Sequence, residues 1–80
     1  MSRDEILEQV TDIFRDEFDD DSILLTDATV AGDVDGWDSL MHISLLAAIE
    51  DAFDFKFEMK DVVGMKNVGE MLDIIERESA

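Results

Sequence analysis

The chain has 80 residues, enough for one small domain, and no cysteine, so neither a disulfide nor a thiolate metal site can reinforce its core. Twenty-two acids against six basic residues give a formal charge of −16, a field that repels phosphate backbones and anionic lipid and so argues against nucleic-acid binding and membrane insertion. Apolar residues make up 46% of the chain at regular spacing, too many for a solvated, disordered polymer.

The start, MSRDEILEQV, lacks an apolar signal region, and no stretch is long enough to cross a bilayer. Absence of cysteine fits a reducing compartment. The expectation is a cytoplasmic monomer with a single domain over 1–80.

The first predicted element is a helix over 3–18, where Ile6, Val10, Ile13 and Phe14 recur at helical spacing and Leu7 and Phe18 widen the stripe. Ser2 and Glu5 form a capping-box pattern: the serine accepts from a free backbone amide and the glutamate reaches back. From Asp19 to Trp37 the periodicity breaks. DDDSILLTDATVAGDVDGW holds turn formers, two glycines and scattered apolar residues, Leu24, Leu25, Val30, Val34 and Trp37, expected to pin a long loop across the helices. A short turn of helix near Ser22–Leu25 fits within it. Loops of this length are uncommon in compact domains and are often functional.

A second helix is predicted over 39–53, with Asp38 as its N-cap. It carries two apolar lines. Leu45, Ile49 and Phe53 are spaced by four with Leu46 beside them, and Leu40, Ile43 and Ala47 form the other. One line must be core, and the other is partly exposed or covered by the loop. Phe53, Phe55 and Phe57 alternate as in a strand, but no second strand is available to pair, so the stretch reads as an extended connector anchored by aromatics. A brief helix over 59–63 ends at Gly64. Asn67, with Glu70 three residues on, caps a last helix over 68–78, whose core stripe is Val68, Met71, Leu72 and Ile75. The fold class is all-α, a small bundle of three main helices plus one short helix with a long first loop.

The chemistry concentrates in GWDSLMHIS, Gly36 to Ser44. On a calcium loop with Gly36 at the glycine position, Asp33 and Asp35 fall on ligand positions. Ala31 and His42 then occupy the first position and the bidentate one, so neither calcium nor another metal is expected. As a nucleophile, Ser39 has His42 on the same helical side, but the GxSxG elbow is absent and a small helical chain offers little pocket. Two readings stay open from the residues alone. Ser39 is either a helix-start residue and nothing more, or an attachment point. An anion attached there would meet unpaired amides and the positive end of the helix dipole, with Asp38 holding the helix start. Leu40 and Ile43 would offer a modifying enzyme an apolar patch.

Around this stretch the chain resembles the acyl carrier proteins and the related peptidyl carrier domains, over nearly all of its length. The likeness lies in DSL at Asp38, Ser39 and Leu40, and in the register around it: an acidic first helix, a long loop, DSLMHISLLAAIEDAFD, a short helix after FKF, and a final helix beginning NVGEM. GWDSL followed by His42 looks like stand-alone carriers of specialised pathways. The resemblance implies an acyl-carrier-like bundle that is not an enzyme. It implies a 4′-phosphopantetheine arm, taken from coenzyme A, on Ser39, with Asp38 and Leu40 completing the motif. It implies a phosphopantetheinyl transferase and acyl-loading, acyl-transferring or condensing enzymes with basic docking patches as partners, in fatty-acid, polyketide or other specialised biosynthesis. Leu40, Met41, Ile43 and Ala47 are the expected apolar docking contacts, and Asp35, Asp38, Glu50 and Asp51 the electrostatic ones. Met41 and Ser44 stand where many fatty-acid carriers have acids, which points to a more apolar docking face. The alternatives are an unmodified acidic interaction module and a weak divalent-ion-binding protein.

Overall fold

Four α-helices make up most of the regular structure: α1 (Arg3–Phe18), α2 (Ser39–Phe53), α3 (Met59–Gly64) and α4 (Val68–Glu78), with one 3-10 turn at Ala31–Asp33. The computed structural model describes residues 2–78. Met1, Ser79 and Ala80, which the expected domain over 1–80 includes, lie outside the described residues. The class is the expected one, all-helical with a long first loop, and no strand occurs among the described residues.

α1 begins where the capping box satisfies two backbone groups. The Glu5 amide donates to Ser2 Oγ and the Ser2 amide donates to Glu5 Oε1, each at 3.2 Å. The stripe at i, i+4 and i+8 then places Ile6, Val10 and Phe14 in the core, all fully buried. α2 buries Leu45, Leu46 and Ile49 against them, and α4 closes the bundle with Val68, Met71, Leu72 and Ile75. The choice between the two lines of α2 is therefore settled. Leu40 and Ile43 remain 74% and 67% exposed, and Ala47 is exposed beside them.

The first loop follows different physics from the helical turn expected near Ser22–Leu25. There the Asp20 carboxylate accepts from both the amide and the hydroxyl of Ser22, at 2.9 and 2.6 Å, which forms a side-chain turn in place of a helical one. The chain then runs extended, so Ile23 and Leu25 point into the core while Leu24 is 79% exposed. Ile23, Leu25, Val34 and Trp37 pin the loop, whereas Leu24 and Val30 do not.

The loop also finishes α4. A helix start leaves its first amides unpaired. Here Val68 donates to the Thr29 carbonyl at 2.9 Å, Gly69 to the Asp27 carbonyl at 2.8 Å, and Glu70 to Asn67 Oδ1 at 2.9 Å. A Cβ on Gly69 would lie 2.9 Å from the Asp27 carbonyl oxygen, so glycine is what allows the loop this close. Arg3 tightens the same corner. Its guanidinium donates to Asp73, Glu76, Asp27 and the Gly69 carbonyl, joining α1, the loop and α4.

After α2 the connector is extended, as its alternating aromatics suggest, with the rings of Phe55 and Phe57 packed edge to face at 4.8 Å. The Phe57 amide donates to Glu50 Oε2 at 2.8 Å. Arg77 then ties α4 to α3 through Asp61 at 2.8 Å.

Candidate functional site

Ser39 is the first residue of α2. Asp38, just before it, has extended backbone and its Oδ1 accepts from the Met41 amide at 2.9 Å, the expected N-cap. Gly36 turns the chain into this cap with φ at +85°, a left-handed value that suits glycine. The Ser39 side chain is exposed, and its hydroxyl has no hydrogen-bond partner among the described residues.

Trp37 anchors the approach to Ser39. Its ring meets the fully buried Phe14 edge-on, with centroids 5.1 Å apart and planes at 88°, a favoured aromatic geometry. Its indole Nε1–H donates to His42 Nδ1 at 3.1 Å. The core of α1 thus fixes Trp37, and Trp37 fixes the imidazole one turn behind Ser39. With Nδ1 occupied as an acceptor, the ring is held neutral, its proton on Nε2. Burial lowers the His42 pKa from its ordinary value. This pairing, five residues apart, was not apparent in the sequence. It also gives His42 a positioning task in place of the base role considered for it.

A cleft of about 320 Å³ opens beside Ser39. One wall is the approach to α2, from Trp37 to Ser39 with His42, and Ala31 of the 3-10 turn adjoins it. The turn between α3 and α4, Met65 to Asn67, also lines it. Of these, Asn67 stood out in the sequence only as a helix cap, and Met65 and Lys66 did not stand out, because only the fold brings that turn beside α2.

The other expected docking residues divide. Asp35, Asp38, Leu40, Ile43, Ala47 and Asp51 are exposed, and Met41 is half-buried. Glu50 points back to the connector, where it accepts from Phe57 and approaches Lys56 at 4.0 Å, so part of its charge is engaged within the chain. Among the described residues no three histidine or acidic side chains are grouped to hold a metal ion. No helix is long and apolar enough to cross a membrane.

Residues 4–75, which include the whole of this site, match the family of the phosphopantetheine attachment site. The chain belongs to the acyl carrier family. It is 44% identical to the holo acyl carrier protein of Geobacter metallireducens, solved by solution NMR, over 89% of this chain and 82% of that one, with a TM-score of 0.84. It is also 31% identical over 80 residues to the mitochondrial acyl carrier protein of Saccharomyces cerevisiae, covering 94% of this chain and 63% of that protein. The chain therefore spans less than two thirds of the length of that curated relative. Acyl carrier family members are carriers, not catalysts, and their prosthetic group is 4′-phosphopantetheine. The residues fit such a group: an exposed hydroxyl, free among the described residues, stands at a helix start with a cleft beside it.

Proposed function

We propose that this chain carries acyl groups as thioesters on a 4′-phosphopantetheine arm attached to Ser39. The observation that supports this most directly is the exposed Ser39 hydroxyl at the first position of α2, without a partner among the described residues and held in place by a capped helix start. The arm supplies a thiol, which a chain without cysteine lacks. Asp38 keeps the helix start rigid through Met41, so the Ser39 oxygen is presented at a fixed point on the surface. The first amides of α2 and its dipole favour the phosphodiester that attachment creates.

The partners in this reading are a phosphopantetheinyl transferase, which takes the group from coenzyme A, and acyl-loading, acyl-transferring or condensing enzymes of fatty-acid, polyketide or other biosynthesis. Leu40, Ile43 and Ala47 form an exposed apolar row directly behind Ser39, and Met41 lies alongside. Asp35, Asp38 and Asp51 surround it with negative charge, which steers basic docking surfaces without a large buried interface. Glu50 contributes less, because its carboxylate already holds the connector. The chain acts as a monomer in the cytoplasm in this reading, and cell fractionation tests the compartment.

Intact mass spectrometry tests the attachment. Incubation with coenzyme A and a promiscuous transferase is expected to add one phosphopantetheinyl group to the wild type and none to Ser39→Ala. No gain by the wild type, under conditions that modify a control carrier, defeats the reading and leaves an unmodified acidic interaction module in its place.

A further inference from the structure

The cleft beside Ser39 holds an unusual charge. The chain has six basic residues among twenty-two acids. Arg3, Arg15, Lys56, Lys60 and Arg77 each have a carboxylate within 4.0 Å. The Lys66 ammonium has none among the described residues, although acids outnumber it everywhere on the surface. Lys66 lines the same cleft as Ser39, and its backbone is fixed because its amide donates to Glu70.

The rest of the cleft explains why that charge matters. Asp38 already places a carboxylate in the wall, committed to the Met41 amide. A phosphodiester on Ser39 adds a second negative charge beside it. His42 cannot offset this, because its Nδ1 accepts from Trp37 and the ring is neutral. Among the residues lining the cleft, Lys66 is the cation that remains. Trp37, Met65 and Ala31 supply apolar surface in the same cleft, suited to the branched hydrocarbon of a pantoyl unit. Its volume of about 320 Å³ lies at the small end of ligand clefts, which run from about 300 to 1,000 Å³.

Resting on the attachment reading above, we infer that Lys66 is a positioning residue for the arm: its ammonium pairs with the phosphodiester on Ser39 and holds the first part of the arm in the cleft against Trp37 and Met65. The α3–α4 turn then serves as a rest for the arm between encounters with partner enzymes. Docking at Leu40 and Ile43 leaves the cleft free to release it.

The test uses the holo protein and NMR. In the wild type, nuclear Overhauser contacts are expected from the geminal methyls of the arm to the Trp37 ring and the Met65 methyl, together with a shift of the Trp37 indole proton between apo and holo forms. Lys66→Gln is expected to weaken these contacts about two- to fivefold, the range for an exposed ion pair. Lys66→Arg is expected to keep them. Both substitutions fall on an exposed side chain without internal bonds, and the backbone spectrum checks the fold. Contacts absent from the wild type, or equally strong in Lys66→Gln, overturn the inference. Mass spectrometry on the same samples separates the two failures. A modified Ser39 without cleft contacts defeats only the role of Lys66, whereas an unmodified Ser39 defeats attachment and this role together.

Discussion

At the residue scale, His42 is the one histidine of the chain, and its proton is coupled to a neighbour. Burial depresses its pKa, and the Trp37 indole N–H occupies Nδ1, where an incoming proton would set two donors face to face. The folded state therefore binds this proton more weakly than the unfolded chain. The stability it contributes is full above the unfolded value of about 6.5 and is lost as pH falls through the lower, folded value. The difference in Tm between wild type and His42→Gln is expected to shrink as pH is lowered across that window. A difference independent of pH contradicts the coupling. Gly69 bears a second residue-scale prediction. A methyl there would press on the Asp27 carbonyl at 2.9 Å and on Asn67 Oδ1 at 3.3 Å. Gly69→Ala is expected to cost about 1–3 kcal/mol in denaturant unfolding, as overpacking does, and an unchanged midpoint would mean that the loop yields freely.

At the element scale, the two apolar lines of α2 differ: one is buried and the other is exposed. Its inner line is fully used by the core, and Leu45→Ala is expected to cost about 2–5 kcal/mol. Its outer line touches no core, and Ile43→Asp is expected to change stability by no more than about 0.5 kcal/mol while lowering kcat/KM for arm transfer. Equal losses of stability in the two variants would remove the distinction. The sequence showed both lines, because they share the helical period, but their period alone could not rank them. The ranking comes from α1 and α4, which cover one side only. The caps at Ser2, Asp38 and Asn67 were legible because each depends on residues within three positions. The 3-10 turn at Ala31–Asp33 was not, and the apolar run at Ile23–Leu25 misled because Asp20 captured Ser22 and forced the chain to extend. The place of Ser39 at the start of α2 was legible from the capping residue before it. Lys66 and the Trp37–His42 bond were not, since the cleft exists only once the α3–α4 turn lies beside the start of α2.

For the whole molecule, charge dominates. The chain exposes 4997 Å², close to the roughly 4,900 Å² expected of a compact protein of its 9.0 kDa, so a charge of −16 is spread over a small surface. Such self-repulsion opposes the folded state, and five of the six cations are already spent on local pairs. Added salt or magnesium is expected to raise Tm by screening, and a flat response in a salt titration counts against repulsion as a major term. The fastening of the first loop to α4 through Asp27 and Thr29 has a mechanical corollary. Asp27 and Thr29 divide the loop into a span that leads on to Ser39 and a span that returns to α1. The returning span is held by Arg3 at Asp27 and the Gly69 carbonyl, so it is fastened to α4 independently of the start of α2.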